Sequence, residues 1–180
     1  LVGSEDYLAD NMHGDQTHGI NDLRAFFLNS KKQINVYADN ITSKYLKKSF
    51  SYCFDKYSKE YPATLKLNKL KNLYILDKNK KIRVKSIKVE HGKVKSNCFI
   101  IDKKIAYISD VSKIYDKDFK FFKNLKYLII DCLWYRFHPS HFNLAKSLEI
   151  IKLFKPKKSI LTNLHTDLDY KILKKFLPKN

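Results

Sequence analysis

The stretch KYLIIDCL, residues 126–133, does most to limit what this chain can fold into. It is an almost unbroken apolar run, the mark of a strand covered on both faces. HFNLAKSLEIIKLF (141–154) follows, with Leu144, Leu148, Ile151 and Phe154 on one helical stripe. KSILTN (158–163) reads as a second buried strand, and DLDYKILKKFL (167–177) as a closing helix capped by Asp167. Strand, helix, strand, helix in that order calls for sheets covered by helices, an α/β layered fold.

The rest of the chain agrees. INVYA (34–38) reads as a strand, and ITSKYLKKSFSYCF (41–54) as a helix capped by Thr42. Residues 56–72 read as irregular. NLYIL, IRVKSIKVEH, SNCFII and KIAYIS then read as short strands, separated by the turn-like DKNKK, HGK and DKK. DKDFKFFKNL suggests a short helix. With no internal repeat and no Gly/Ser/Pro-rich linker, the 180 residues are expected to form one domain, 1–180.

Composition excludes some classes. No apolar run approaches the roughly 18 residues of a membrane span. LVGSEDYLAD has no basic segment followed by an apolar one, so it does not read as a secretory signal. Cys53, Cys98 and Cys132 are far apart and odd in number, as expected of buried, reduced thiols in a cytoplasmic protein. The net charge of +18 comes almost wholly from lysine; arginine occurs only at Arg24, Arg83 and Arg136. These lysines are spread along the chain rather than gathered in a stripe. The charge therefore favours an anionic, phosphate-bearing substrate more than nucleic acid.

The six histidines are His13, His18, His91, His138, His141 and His165. His13 and His18 share NMHGDQTHGINDLR with Asp15. His91, His138, His141 and His165 follow expected strands, as does Asp110 in YISDVS. Polar residues at strand ends converge on one rim of a sheet, where sites are commonly built. Any one of these residues alone is more often a solvated or turn-capping group; together they point to a metal site. Imidazole with carboxylate suits zinc, manganese or iron.

On those residues the chain resembles the metallo-β-lactamase-fold metallohydrolases. The nearest branch is that of the phosphoribosyl cyclic phosphate phosphodiesterases, with tRNA 3′-processing endonucleases more distant. The family's HxHxDH, followed in this branch by xHGIDDLR, corresponds to Asn11 through Arg24. His91-Gly92, SDVS at Asp110, HPSHFNL from His138 and LTNLHTDLDY through Tyr170 match further on. The resemblance implies an αββα sandwich and two divalent metal ions, zinc or manganese. By resemblance, His13 and His91 serve the first metal, Asp15 and His165 the second, and Asp110 bridges them. His141 is then the catalytic histidine that assists the leaving group, with Asp15 in the catalytic set. His138, His18 and Asp22 support the ligands.

The chain departs from the pattern at two motif positions. Asn11 and Gln16 stand where HxHxDH has histidines, so they are weakened ligands, and one metal rather than two could result. Some members of the branch carry glutamine at the second position. SEDYLAD is too polar for the apolar strand that precedes the family motif, and the chain is expected to be the C-terminal two-thirds of such a fold, truncated before the motif. The reading is a metal-dependent hydrolase of a phosphodiester, in a small cyclic phosphate or nucleotide, with a homodimer allowed. The alternatives are an inactive, degenerate or split remnant and a basic RNA-binding or RNA-processing module.

Overall fold

A computed structural model describes residues 6–71, 73–77 and 80–178, with 73–77 and 80 as backbone only. The chain divides into two compact units, Leu1–Arg83 and Val84–Asn180.

The first unit corrects the reading of SEDYLAD. β1 (Asp6–Leu8) is a strand with all three residues buried. It pairs in parallel with β2 (Ile34–Ala38), the expected INVYA strand, which pairs in parallel with β3 (Leu65–Lys69). β3 lies inside the stretch read as irregular. Both strands escape a hydropathy pattern because polar side chains link them: Asn35 Nδ2 donates to Asp6 Oδ1 at 3.2 Å, and Asn68 Nδ2 to Asn35 Oδ1 at 3.1 Å. A hydrogen-bonded amide ladder is tolerated where an unpaired polar group would be costly.

Three helical pieces join β1 to β2: α1 (Gly14–Thr17), a 3₁₀ turn (His18–Asp22) and α2 (Leu23–Ser30). The single helix expected over 41–54 is two, α3 (Asn40–Ser49) and α4 (Ser51–Phe54). Phe50 leaves helical geometry (φ −131°, ψ 35°) with its ring buried, which breaks the run. The cap of α3 is Asp39, whose side chain accepts from the Thr42 N–H at 2.9 Å, so Thr42 is inside the helix and buried. Ile20, Leu23, Val36, Leu46 and Leu65 form the core of this unit.

The second sheet runs β4 (Leu73–Asp77), β5 (Lys80–His91), β6 (Val94–Ile101), β7 (Ile105–Ile108), β8 (Tyr127–Asp131), β9 (Lys158–Thr162). The turn expected at DKNKK falls on residues 78 and 79, and Asn72 of NLYIL likewise lies outside the described residues. β5–β6 and β6–β7 pair antiparallel; β7–β8 and β8–β9 pair in parallel. Hence β5, β7, β8 and β9 all point the same way and end on one rim. A 3₁₀ helix (Asp116–Phe122) connects β7 to β8, α5 (Leu144–Phe154) connects β8 to β9, and α6 (Tyr170–Phe176) follows. Cys98, Ile108, Leu128, Ile130, Phe142 and Phe154 are core residues here.

Several boundaries move. α5 starts at Leu144, capped by Asn143 on the Lys146 N–H, and this leaves His141 on the preceding loop. α6 is capped by Asp169, not Asp167. β9 is the sheet's last strand, and Ile160 is 44% exposed, so KSILTN is an edge rather than a buried strand. The lysines of this unit are also not evenly spread. Lys85 lies 4.0 Å from the Phe121 ring centroid, and Lys95, Lys113 and Lys117 lie 5.7, 6.0 and 5.5 Å from that of Tyr115. Residues distant in sequence are gathered by the antiparallel hairpin and the 3₁₀ turn. Among the described residues no helix is long and apolar enough to cross a membrane.

Candidate metal centre

The four co-directional strands deliver four polar groups to one rim. His91 is the last residue of β5, Asp110 follows β7, Asp131 ends β8, and Asn163 follows β9. His91, Asp110 and Asp131 are buried. Asn163 Nδ2 donates to the Ser109 carbonyl and, at 3.3 Å, to Asp110 Oδ1, tying the end of β9 to that of β7.

The His91 ring has a defined polarity. Its Nδ1 lies 2.7 Å from the Ser140 carbonyl oxygen. A carbonyl only accepts, so Nδ1 carries the proton and Nε2 the lone pair, the arrangement a metal-binding imidazole needs. The HGK turn serves this contact. Gly92 has φ +61°, and a Cβ there would come within 2.6 Å of Ser140 Oγ, so a side chain would push on the residue that anchors His91.

His141 reaches the same rim from the loop after β8. Its Nδ1 is 2.8 Å from Asp131 Oδ2 and 3.8 Å from Asp110 Oδ1. Its ring meets that of His91 edge-on, with centroids 4.6 Å apart. Asp131 Oδ2 also accepts from the Val111 N–H at 3.1 Å. Its other oxygen, Oδ1, has no hydrogen-bond partner among the described residues. Burial pushes the Asp131 carboxyl above its usual range, while the His141 hydrogen bond and charge and the Val111 N–H hold it down. His138 is near, its ring centroid 5.2 Å from that of His141, and its Nδ1 accepts from the Ser140 N–H at 3.3 Å.

His165 follows β9 but is arranged differently. Its side chain is 46% exposed and packs against Trp134. Its Nδ1 accepts from the Asp167 N–H at 3.2 Å, which puts the proton of the neutral ring on Nε2. Serving a metal through Nε2 requires the other tautomer.

The motif residues of the first unit form a turn hung from β1. Asn11 is buried, and its Oδ1 accepts from the His13 N–H at 2.8 Å. The His13 carbonyl accepts from the Gln16 N–H at 3.0 Å and the Thr17 hydroxyl at 2.9 Å. Gln16 Nε2 donates to Asp15 Oδ2 at 3.1 Å, in an exposed pair. The two weakened donors are thus engaged with the backbone or side chain of the expected ligands. His18 is exposed and lies over Gly14 and against Phe50, and Asp22 precedes α2 without capping it.

Asp131 was not among the residues singled out in the sequence. The signal is present, since Asp131 closes KYLIID as Asp110 closes YISD, but it is masked by the apolar residues on both sides of it. The part played by the Ser140 carbonyl carries no sequence signal. As donors for a metal, the Nε2 of His91 and the buried carboxylate of Asp110 fit a divalent ion.

The comparisons with known proteins agree with this fold. The family model for the beta-lactamase superfamily domain matches residues 8–163. No curated protein matches the sequence. A solved diphosphatase from the PhnP family superposes with a TM-score of 0.84 at 22% identity, covering 97% of this chain and 65% of that one. The metallo-β-lactamase fold protein YhfI from Bacillus subtilis gives 0.73 at 17% identity, covering 95% and 69%. The short form of human tRNase Z gives 0.65 at 16% identity, covering 92% and 74%. The chain therefore spans about two-thirds of the length of the PhnP-family structure, and the fold class is that of the αββα metallo-β-lactamase sandwich. On the match over residues 8–163, the chain belongs to the β-lactamase superfamily, in its metallo-β-lactamase-fold form.

Proposed function

We propose that this is a metal-dependent hydrolase that cleaves a phosphodiester in a small cyclic phosphate or nucleotide. The observation that carries the reading is the rim of the second sheet, where a lone-pair nitrogen on His91, the buried Asp110 and the Asp131–His141 pair meet. Similarity to a PhnP-family diphosphatase supports hydrolysis of a phosphate-bearing substrate. His13, Asp15, His91, Asp110 and His165 would hold two divalent ions, zinc or manganese. Bound there, the ions would supply an activated water and offset charge on the phosphate.

The chain's own residues then handle the proton. His141, protonated on Nε2, gives that proton to the leaving oxygen as the P–O bond breaks. Asp131 accepts the Nδ1–H bond, orients the ring and stabilises the imidazolium. Asp131 is fully buried and His141 is only 17% exposed, which limits screening of the pair by solvent. Both units would serve one active domain, and the buried cysteines suit a cytoplasmic setting. A second copy of the chain against the open edge of β9 is the simplest form of the homodimer.

A second reading, a basic RNA-binding or RNA-processing module, draws on the lysines gathered around Tyr115 and Phe121. It asks for RNA affinity that falls steeply with salt. The deciding measurement is elemental analysis of the purified chain after reconstitution with zinc or manganese, followed by assay on small cyclic phosphodiesters. About two ions per chain with turnover is the expected result. A folded chain that takes up no metal would instead be an inactive relative.

A further inference from the structure

The first unit holds a cavity of about 740 Å³ that none of the proposed metal ligands lines. Its wall is built by three segments. α2 contributes Arg24 and, at its left-handed C-cap, Lys31; α4 contributes Tyr52; the loop leading to β3 contributes Tyr57, Lys59 and Tyr61. The three tyrosines are 54%, 64% and 66% exposed, an unusual amount of aromatic surface to leave in water at one concavity.

The loop is held in shape. Ser58 Oγ accepts from the N–H groups of Glu60 and Tyr61 at 3.1 and 3.2 Å, and the Tyr57 N–H donates to the Tyr61 carbonyl at 3.3 Å. The Tyr57 and Ser51 hydroxyls lie 3.2 Å apart, and the Thr64 N–H donates to the Cys53 carbonyl at 3.0 Å. Tyr52 donates its hydroxyl proton to Asn21 Oδ1. The aromatic wall is thus positioned before any ligand arrives, which lowers the entropic cost of binding.

The charge of the cavity selects the ligand. Three cations, Arg24, Lys31 and Lys59, line it with one carboxylate, Glu60, whose Oε2 already accepts the Ser58 hydroxyl at 2.6 Å. Aromatic faces beside an excess of cations fit a flat base carrying an anionic group. A neutral sugar would not use the cations, and an acidic peptide would not use three ring faces.

We propose that this cavity is a nucleotide-binding site, with a tyrosine stacked on the base and Arg24 with the lysines on the phosphate. The proposal does not rest on the hydrolase reading. It leaves two sources of the same chemistry, a free nucleotide or the terminal nucleotide of an RNA strand.

The test is calorimetric titration of the full chain, free of added metal, with AMP, adenosine and inorganic phosphate, and with a short oligoadenylate ending in a phosphate. AMP is expected to bind, and the Tyr57→Ala/Tyr61→Ala double variant to bind it about tenfold or more weakly, given what base stacking on an aromatic contributes. Arg24→Gln should weaken AMP while leaving adenosine nearly unchanged. Tyr57→Phe, which keeps the ring, should bind AMP like the parent chain, separating stacking from a folding defect. Tighter binding of the oligoadenylate than of AMP would name a strand end as the source, and equal or weaker binding a free nucleotide. No AMP binding, or AMP affinity unmoved by the tyrosine and arginine variants, would overturn the proposal, and loss of AMP binding in Asp110→Asn would then place it at the sheet rim instead.

Discussion

The turn that follows β1 and the rim where β5, β7, β8 and β9 end are held by different means. In the turn, a chain of bonds runs between near neighbours. Asn11 serves His13, His13 serves Gln16 and Thr17, and Gln16 serves Asp15, all within a few residues. At the rim, the bonds join residues far apart in sequence. His91 is held by Ser140, Asp131 holds Val111 and His141, and Asn163 holds Ser109 and Asp110. The local bonds of the turn join residues already adjacent in the chain, while the bonds of the rim exist only once the sheet has formed. At the rim His91, Asp110 and Asp131 are buried and held in place, and His141 is half-buried, whereas Asp15 and His18 are open to water. Preorganised groups in a dry setting are the ones expected to dominate chemistry.

That contrast is tested most sharply at His141. His141→Ala should lower turnover of a small cyclic phosphodiester by about 10²–10⁴-fold, the usual worth of a positioned acid, with metal content unchanged. Asp131→Asn should lower it by about 10–100-fold, since the ring stays in place but loses its carboxylate partner. Steady-state kinetics with elemental analysis on both variants reads this. Turnover untouched by His141→Ala would move the acid elsewhere and leave the rim as scaffold.

What the sequence revealed follows the same division. β2, β8 and the amphipathic α5 were legible because each carries its own periodicity or apolar run. β1 and β3 were not, because their polar residues are satisfied by partners on neighbouring strands. Asp110 and His91 could be picked out from strand-end positions alone. Their joining to His141 through Asp131 could not, because it depends on which strands lie side by side. The gathering of Lys85, Lys95, Lys113 and Lys117 was hidden for the same reason. Caps slipped by a few residues where two candidates stood close together, Asp39 for Thr42 and Asp169 for Asp167.

A smaller effect is expected in the turn. Asn11→His restores the family's imidazole but removes the acceptor of the His13 N–H. If the missing donor is what limits the first metal, occupancy should rise, with apparent affinity improving by about tenfold, on the scale of changes seen around metal ligands. Metal titration followed by elemental analysis decides it. Unchanged occupancy would show that the Asn11–His13 bond matters more than the lost ligand, making the turn as dependent on its local bonds as the rim is on its distant ones.

The mildest test uses the cysteines, one in the first unit and two in the second. All three are buried, but Cys53 lines the tyrosine cavity whereas Cys98 and Cys132 sit in and beside the sheet core. Burial raises the Cys53 thiol, with Arg24 pulling the other way, and pushes Cys132 up to about 11. In the unfolded chain Cys132 should titrate near its ordinary value, so the folded state holds the proton more tightly. Its contribution to stability is then complete below the unfolded value and is lost as pH rises toward about 11. In native labelling with a thiol reagent at mildly alkaline pH, Cys53 should react first and Cys132 only with global unfolding, as peptide mapping would show. Urea melts of Cys132→Ala should lose part of the alkaline destabilisation seen in the parent chain. Equal labelling rates at Cys53 and Cys132 would mean that the rim opens as readily as the cavity, and that its bonds across the sheet confer no extra rigidity on the strand that carries Asp131.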